Sequence, residues 1–455
     1  MKFTRRAALL LSPALAAFAA LPATAQDAER MVEVVEEEVE AGAFMGAVLV
    51  AKDGTVLVDQ AWGSANLELS VDNSSLTKFR IGSVTKQFTA ASILLLQEQG
   101  KLTLDDPISQ HMEGTPEAWS GITLRHLLHH TAGLPNVTSL DGFGRLKYLP
   151  TTQDELIATF SELPLEFEPG SDWKYSNSGY VLLSRVVETA SGKSYSDFLS
   201  ANLLDPLGMK ETGLDRSSTI LPKRASGYSP SSEGVVNADY VDMGIPTGAG
   251  AMYSTTGDLL KWQRGLFGGQ VLSAESLAEY TTPSPLEAIG DDKYALGVIV
   301  EDDEDGKAYW HGGGIEGFNA WLGYDPDNKA TVVVLANLNG GTASKLGGQL
   351  MQLARGAEIT LPDERVATEL APADFAQYEG VYAVAPTFKI TVFQDDGKLM
   401  AQATGQDAFQ IFAEGPDRFF LKVVDAQVRF ERGEDGTVKS LTLFQGGQEL
   451  PAPKE

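Results

Sequence analysis

A serine followed three residues later by a lysine is the pattern in this chain that most directly indicates nucleophilic chemistry. A serine hydroxyl becomes a nucleophile when a base takes its proton and nearby donors hold the oxyanion that forms. At this spacing the two side chains project from adjacent turns of a helix, and a buried lysine can lose its proton near neutral pH. The pattern occurs three times: Ser75-Leu76-Thr77-Lys78, Ser83-Val84-Thr85-Lys86 and Ser171-Asp172-Trp173-Lys174.

The surroundings of the three serines separate them. Ser75 lies in a polar turn, and Ser171 follows the Pro169-Gly170 pair in a predicted loop. Only Ser83 opens a long apolar segment, residues 83–99, which predicts a buried helix that ends at Gly100. A helix N-terminus favours negative charge, so Ser83 is the predicted nucleophile and Lys86 its base. An ordinary helix cap remains the alternative at this point.

Two further segments carry groups that could assist such a serine. In Tyr175-Ser176-Asn177, the tyrosine could transfer protons if a cation lowers its pKa, and the asparagine could hold a substrate amide. In the segment from His311 to Gly314, three glycines would let a substrate approach the backbone, and the histidine could bind a carboxylate. Taken alone, the first segment is better explained as an ordinary turn with exposed polar residues, and the second as a glycine-rich hairpin bend.

The elements that must position these groups follow from hydrophobic periodicity. A length of 455 residues predicts two domains. In the first, a hairpin is expected through Asp53-Gly54, and helices and an antiparallel meander complete the pattern. The predicted helices are 27–42, 83–99, 180–189 and 195–204, and the predicted strands are 47–51, 55–61, 294–300, 308–310, 318–324 and 331–336.

The composition of the chain and the spacing of its apolar segments change after residue 356. Residues 357–372 are rich in charge and proline and are predicted to be a linker between a domain at 26–356 and one at 373–455. Beyond them, short strand patterns recur at a spacing of roughly ten residues and predict a small antiparallel β-barrel. These strands are 380–384, 388–393, 398–403, 418–424, 427–431 and 438–444.

Composition excludes several classes of function. The chain has no cysteine, which excludes disulfides, thiolate metal sites and thiol catalysis. A formal net charge of −27 disfavours nucleic acid and anionic membrane surfaces as partners. His126, His129 and His130 have no accompanying carboxylate in a metal-binding pattern, so we expect neither a metal nor a cofactor. A small molecule or peptide is the expected partner, and the sequence does not predict the oligomeric state.

The N-terminus has the three parts of an export signal. Lys2, Arg5 and Arg6 precede an apolar stretch at residues 7–21, and Ala23-Thr24-Ala25 is a small-residue cleavage site. Residues 1–25 are therefore predicted to be a signal peptide, and the mature chain is predicted to be periplasmic or secreted. The stretch is short for a stable membrane anchor, and the paired arginines leave the twin-arginine route open.

The order Ser83-x-x-Lys86, Tyr175-x-Asn177, His311-x-Gly313 resembles the serine β-lactamase-related family, which includes class C β-lactamases, DD-peptidases, D-aminopeptidases and esterases. The resemblance covers residues 43–354 and extends to several neighbouring stretches. These are Phe79-Arg80-Ile81-Gly82 before the serine, Leu124-Arg125-His126-Leu127-Leu128-His129-His130-Thr131-Ala132-Gly133-Leu134, Phe167-Glu168-Pro169-Gly170, Ser178-Gly179-Tyr180 and Leu204-Asp205-Pro206-Leu207-Gly208-Met209.

This resemblance implies an α/β (α+β) β-lactamase-like or transpeptidase fold, in which helices flank an antiparallel sheet built from the first and last strands of the domain. It implies that Ser83 forms an acyl-enzyme and that Lys86 and Tyr175 share the proton transfers. Asn177 would orient the substrate. The backbone N–H groups of Ser83 and Gly314 would form the oxyanion hole.

The chain departs from class C β-lactamases at His311-Gly312-Gly313, where those enzymes have Lys-Thr-Gly. His311 and Gly313 would then contact substrate without the fixed charge and hydroxyl that grip a β-lactam carboxylate. The sequence therefore favours small amides or esters, D-amino-acid peptides and carboxylic esters before β-lactams. The alternative is a penicillin-binding or cell-wall-fragment-binding protein with little turnover.

The C-terminal segment resembles the lipocalin-like domain of several hydrolases and D-aminopeptidases of this group. The resemblance rests on Tyr378-Glu379-Gly380-Val381-Tyr382, Gly397-Lys398-Leu399-Met400 and Asp417-Arg418-Phe419-Phe420. The domain is expected to shape or cover the mouth of the active site, to mediate assembly, or to serve as a structural accessory.

Overall fold

A seven-stranded antiparallel sheet organises the first part of the chain. The structure is a computed structural model that describes residues 23–286, 293–445 and 448–455. The helices are α1 Ala23–Glu40, α2 Thr85–Glu98, α3 Leu124–Leu128, α4 Phe143–Leu146, α5 Gln153–Ser161, α6 Asn177–Ser191, α7 Tyr195–Leu199, α8 Asp205–Leu207, α9 Thr247–Gly250, α10 Thr256–Phe267, α11 Ala274–Thr281 and α12 Thr342–Arg355. The strands before α12 are β1 Gly46–Lys52, β2 Thr55–Trp62, β3 Ser64–Asn66, β4 Val71–Asp72, β5 Phe79–Arg80, β6 Gly213–Leu214, β7 Tyr228–Ser231, β8 Gly234–Asn237, β9 Met252–Ser254, β10 Lys293–Tyr294, β11 Ile299–Asp303, β12 Gly306–Ile315, β13 Phe318–Asp325 and β14 Ala330–Ala336.

The sheet joins the two ends of this part of the chain. Its strand order is β10-β11-β12-β13-β14-β1-β2, so β1 pairs with β14 across almost the whole sequence of the domain. All seven residues of β14 are buried, which explains the uninterrupted apolar run at residues 332–336. The sheet lies between two layers of helices, and the predicted fold class is confirmed.

The two faces of the sheet have separate cores. One face packs against α1 and α12 through a cluster that includes Val34, Trp321 and Leu346. The other face packs against α2, α6 and α10 through a larger cluster that includes Phe88, Leu183 and Trp262. Helix α2 is central to the larger core because nearly every one of its residues is buried.

Two local predictions in this domain were wrong. Ser83 belongs to a single 3-10 turn, Gly82–Val84, and the α-helix begins at Thr85. The segment predicted as one strand at 294–300 is a bend between β10 and β11, where Tyr294 pairs with Ile299. Gly297 makes this bend with a φ of +75°, and a Cβ there would lie 2.6 Å from the carbonyl oxygen of Lys86. The glycine therefore lets the bend approach α2 closely.

The last part of the chain is an eight-stranded antiparallel meander. Its strands are β15 Gly380–Ala385, β16 Phe388–Asp395, β17 Lys398–Ala403, β18 Ala408–Gly415, β19 Arg418–Leu421, β20 Ala426–Arg432, β21 Val438–Gln445 and β22 Gln448–Pro453. The order runs from β15 to β22, and a bridge between Tyr382 and Lys454 brings the two edges together. The barrel is nearly closed around a core that includes Phe419, Phe430 and Leu441.

The barrel prediction is confirmed, although two of its strands were missed. β18 was missed because its apolar residues do not alternate cleanly, and β22 because it contains Pro451 and Pro453. The resemblance of the C-terminal segment to a lipocalin-like domain stays a prediction, as do the domain boundaries 26–356, 357–372 and 373–455.

The barrel docks on the α1 and α12 side of the sheet. Lys345 on α12 forms ion pairs with Glu38 of α1 and with Asp425 of the barrel. Arg365, in the predicted linker, also pairs with Asp425. The backbone N–H of Thr368 donates to the carbonyl oxygen of Ala413 at 2.7 Å.

The N-terminal predictions fall largely outside the described part of the chain. Of the predicted signal peptide at 1–25, only residues 23–25 are described, as the start of α1. Among the helices of residues 23–286, 293–445 and 448–455, none is long and apolar enough to cross a membrane.

Candidate active site

Ser83 lies where the turn before α2 touches strand β12. Gly82 has a φ of +48°, and a Cβ on it would lie 2.7 Å from the backbone nitrogen of Gly314. A Cβ on Gly313 would lie 2.0 Å from the carbonyl oxygen of Ile81. Side chains at these two glycines would push the 3-10 turn and strand β12 apart. Their absence brings Ser83 beside Gly314, and the two residues line one pocket.

Lys86 is fully buried below Ser83, one helical turn further on. Its Nζ lies 3.0 Å from Ser83 Oγ, 2.8 Å from Asn177 Oδ1 and 2.8 Å from the carbonyl oxygen of Ala249. Within the described residues it has no carboxylate partner. Burial therefore lowers the pKa of Lys86 well below its ordinary value.

The three oxygens around Lys86 could accept from the three N–H groups of an ammonium, and they also fit a neutral amine. Such an amine has two N–H groups, which suit the oxygens of Asn177 and Ala249. Neither of those oxygens carries a hydrogen to donate, whereas the hydroxyl of Ser83 does. The remaining lone pair can therefore accept the proton of Ser83, which is the contact a general base needs.

Tyr175 approaches Ser83 from the loop before α6. Its hydroxyl donates to Ser83 Oγ at 2.9 Å, and Lys86 Nζ lies 4.8 Å from the centre of its ring. From the sequence, proton transfer by this phenol was conditional on a neighbouring cation that lowers its pKa. Desolvation instead raises the pKa of Tyr175, so that condition is not met and the phenol is held in its protonated form.

Asn177 begins α6, and hydrogen bonds hold both its backbone N–H and its side-chain amide. Its backbone N–H donates to Asn136 Oδ1 at 3.0 Å, and its amide nitrogen donates to Thr138 Oγ1 at 3.1 Å. These contacts fix the amide oxygen toward Lys86. The side chain lines the same pocket as Ser83.

His311 lies on β12 and is almost completely buried. Its Nε2 lies 3.0 Å from the hydroxyl of Tyr294, and its Nδ1 lies 2.5 Å from the carbonyl oxygen of Gly312. Burial is the main cause that lowers the pKa of His311, to about 3. The imidazole is therefore neutral, so this position supplies no fixed positive charge.

The pocket above Ser83 has a volume of about 260 Å³ and a largely apolar wall. Its polar lining comes from Ser83, Thr138 and Asn177, and of the described lining residues Glu316 alone is charged. The apolar lining residues are Val137, Phe143, Val181, Val241, Ile245, Pro246, Ala249 and Ile315. None of these residues belongs to the barrel.

Glu316 is part of an ion-pair group at the edge of this pocket. Lys147 Nζ lies 3.0 Å from a carboxylate oxygen of Glu316 and 3.2 Å from one of Asp239. Two carboxylates share one lysine, so the group has a formal charge of −1. The pocket edge is therefore acidic.

The structure brings together every residue that the sequence reasoning selected, and adds partners it missed. Ala249 contributes a backbone carbonyl, which leaves no signal in a sequence. His130 and Tyr294 pack beside Tyr175. In the sequence, His130 lies in a stretch that looks structural and Tyr294 in a predicted strand, so neither carries a signal for the site. The described residues hold no group of three or more candidate metal ligands.

Comparison with known proteins places this arrangement in a family. The family model described as Beta-lactamase matches residues 31–355, and one described as a domain of unknown function (DUF3471) matches residues 364–452. The chain is 30% identical to penicillin-binding protein 4* of Bacillus subtilis over 438 residues, which cover 90% of this chain and 94% of that protein.

Solved structures agree with this placement. An octameric penicillin-binding protein homologue from Pyrococcus abyssi has 25% identity and a TM-score of 0.68, covering 94% of this chain and all of that one. A D-stereospecific amidohydrolase from Streptomyces has 25% identity and a TM-score of 0.60, covering 72% of this chain and 96% of that one. The chain therefore belongs to the β-lactamase family and is a serine hydrolase of that family.

Proposed function

We propose that this protein is an exported serine hydrolase that forms an acyl-enzyme on Ser83. Its substrates are small amides or esters, with D-amino-acid peptides and carboxylic esters ahead of β-lactams. The observation that carries the proposal is the position of Ser83 Oγ, 3.0 Å from Lys86 Nζ and 2.9 Å from the hydroxyl of Tyr175. Burial lowers the pKa of Lys86 and raises that of Tyr175, which suits the lysine as a base and the tyrosine as an acid.

Acylation follows from this arrangement. Neutral Lys86 takes the proton of Ser83 as Oγ bonds to the substrate carbonyl carbon. The oxyanion is held by the backbone N–H groups of Ser83 and Gly314, at the edge of β12. When the carbon–nitrogen or carbon–oxygen bond breaks, the leaving group takes the proton of Tyr175, and the phenolate regains a proton from Lys86. The acyl-enzyme then has Lys86 neutral again.

Deacylation uses the same groups in reverse. Water takes the place of the leaving group and gives a proton to the Tyr175–Lys86 pair as its oxygen bonds to the acyl carbon. Ser83 then leaves with a proton from Lys86, which restores the free enzyme. Asn177 holds Lys86 in place and lines the pocket where the acyl group lies.

The charge of the pocket supports the order of substrates. A β-lactam carries a carboxylate, but His311 is neutral and the pocket edge is acidic. An unprotected D-amino-acid amide instead carries an ammonium group, which Glu316 can pair with. The likeness to a D-stereospecific amidohydrolase points to the same class.

Covalent labelling tests the nucleophile. We expect a fluorophosphonate to add one adduct to the wild-type protein, measured by intact mass, and none to Ser83→Ala. Ser171→Ala is the matched control, because Ser171 has the same motif but lies exposed and donates its hydroxyl to the carbonyl of Glu168. Labelling of Ser83→Ala at the wild-type rate would refute the proposal.

A substrate panel tests the preference. D-alanyl p-nitroanilide, its N-acetyl derivative, a p-nitrophenyl ester and nitrocefin differ in charge and in the bond cleaved. We expect the highest kcat/KM for the free amine or the ester, and the lowest for nitrocefin. A single burst without turnover on all four would favour the alternative, a penicillin-binding or cell-wall-fragment-binding protein.

Export is proposed from the N-terminal sequence alone. Residues 1–25 have the charged, apolar and small-residue parts of a signal peptide. Cell fractionation with N-terminal sequencing tests this, and a cytoplasmic chain that retains Met1 would contradict it.

A further inference from the structure

His130 is a buried histidine that the proposed acyl transfer does not use. It follows α3 and the turn residue His129, and it is 2% exposed. Its φ is +61°, a conformation that residues other than glycine rarely adopt. Such strain persists only where the surrounding contacts hold it, so the contacts of His130 are informative.

Two of these contacts bracket the backbone of Tyr175. The N–H of Lys174 donates to the carbonyl oxygen of His130 at 3.0 Å. The N–H of Ser176 donates to His130 Nδ1 at 3.2 Å. The residues immediately before and after the tyrosine are therefore both bonded to the same histidine.

A third contact holds the ring of Tyr175. The imidazole centre lies 4.3 Å from the centre of that ring and 4.6 Å from that of Tyr294. Burial lowers the pKa of His130 well below its ordinary value, so the ring is neutral. Because Nδ1 accepts from Ser176, Nε2 carries the proton, and it has no hydrogen-bond partner among the described residues. The imidazole therefore packs against Tyr175 and exchanges no proton with Ser83.

We propose that His130 is a positioning residue that fixes the hydroxyl of Tyr175 on Ser83 Oγ. It does so by holding the backbone on both sides of the tyrosine and by packing on its ring. The proposal rests on the acyl-enzyme function proposed above, in which Tyr175 gives its proton to the leaving group. A displacement of that hydroxyl by about 1 Å would be enough to reduce the rate by about 100-fold.

A double-mutant cycle separates this role from a general effect on folding. The variants are His130→Leu, Tyr175→Phe and the double variant, assayed with the best chromogenic substrate of the panel. We expect His130→Leu alone to lower kcat by about 10- to 100-fold with KM changed by less than about 3-fold. In the Tyr175→Phe background, which has no hydroxyl to position, we expect the same change to lower kcat by less than about 3-fold.

A conservative variant guards against simple misfolding. Asparagine tolerates positive φ, and its Oδ1 occupies the place of Nδ1 as an acceptor for the N–H of Ser176. We expect His130→Asn to recover most of the kcat lost in His130→Leu, with thermal unfolding as a control. If His130→Leu does not fold, the cycle is repeated with His130→Ala in its place, and His130→Asn is compared with that variant.

Two outcomes would overturn the proposal. One is an equal loss of kcat from His130→Leu with and without the tyrosine hydroxyl, which would show that His130 does not act through the position of that hydroxyl. The other is wild-type kcat in His130→Leu. Failure of the proposed function is distinguishable, because it would appear as fluorophosphonate labelling of Ser83→Ala whatever the cycle gives.

Discussion

Lys86 in the candidate site and Lys345 at the barrel interface are both withdrawn from water, yet their surroundings are opposite. Lys345 Nζ contacts Glu38 and Asp425, two carboxylates on separate elements. Burial alone would lower the pKa of Lys345, but hydrogen bonds and charge from Asp425 and Glu38 raise it. In the described part of the chain, Lys86 contacts only uncharged oxygens, and burial lowers its pKa.

The difference suggests how the surroundings would separate the proposed base, Lys86, from a lysine that forms ion pairs. Desolvation disfavours the ammonium in both places, and only a nearby carboxylate compensates. Where the carboxylate is present, the lysine links α12 to the barrel. Where it is absent, the pKa of the amine is lowered, which favours the proposed role as a base. The pairing of each lysine therefore indicates its role more directly than its burial does.

The largest expected effect comes from making the charge of Lys86 permanent. Arginine stays protonated at every pH a protein survives, so Lys86→Arg cannot accept the proton of Ser83. We expect kcat/KM for the best substrate to fall by about 1000-fold, within the range of lost general-base catalysis. Steady-state kinetics with a p-nitrophenyl ester measure this.

Lys345→Arg is the matched control, because the new side chain can keep both ion pairs. We expect its kcat/KM to stay within about 2-fold of wild type, as for a substitution remote from the chemistry. Comparable activity in the two variants would show that Lys86 is not the base.

The dependence of kcat/KM on pH should distinguish the two lysines, because the pKa of Lys86 is lowered and that of Lys345 is raised. As pH falls through the depressed pKa of Lys86, the amine gains a proton and kcat/KM should fall, while Lys345 stays charged. On the alkaline side, the raised pKa of Tyr175 keeps the phenol protonated at pH values above the ordinary pKa of tyrosine. An acid limb with its midpoint near 3 would instead assign the loss to His311, whose pKa is about 3.

Stability should respond to pH through the same groups. The folded pKa of Lys86 lies below its unfolded value of about 10.5. The unfolded state therefore binds more protons between these two values, and this site makes stability rise with pH there. The folded pKa of Lys345 lies above 10.5, so its contribution is present below that pH and is lost as pH rises through the folded value. Thermal unfolding across this range checks both signs.

The sequence was sufficient for the parts of the site that depend on residue type and order. Ser83, Lys86, Tyr175 and Asn177 converge because their motifs begin or precede helices that pack face to face, α2 against α6. The lowered pKa of Lys86 could not be read from sequence, since it depends on burial beside the carbonyl of Ala249 with no carboxylate partner among the described residues.

The same limit applies to the fold. The alternation of apolar residues predicted most strands, but the bend at Gly297 depends on close approach to α2, which is a tertiary contact. The place where the barrel docks depends on surface charges such as Lys345 and Asp425, whose partners are far apart in sequence. Of the expected roles for the barrel, covering the site mouth finds no support in the pocket lining.

The smallest expected effect tests the structural member of the pair. Lys345→Met keeps an apolar stem but leaves Glu38 and Asp425 without their shared cation. Because the lysine side chain is only 14% exposed, we expect a loss of about 1–3 kcal/mol in unfolding free energy. Activity on a small ester should stay within about 2-fold of wild type, because the site lies across the sheet from this interface.

Urea unfolding and ester hydrolysis of the same preparation measure both quantities. Lys439→Met is the control, because that lysine pairs with Asp435 on the barrel surface and its side chain is 58% exposed. Exposed ion pairs contribute little, so its unfolding midpoint should not move measurably. Equal stability of the two variants would show that Lys345 does not hold the barrel. A large loss of ester hydrolysis in Lys345→Met would instead show that barrel docking is coupled to the site, and that the two lysines do not act separately.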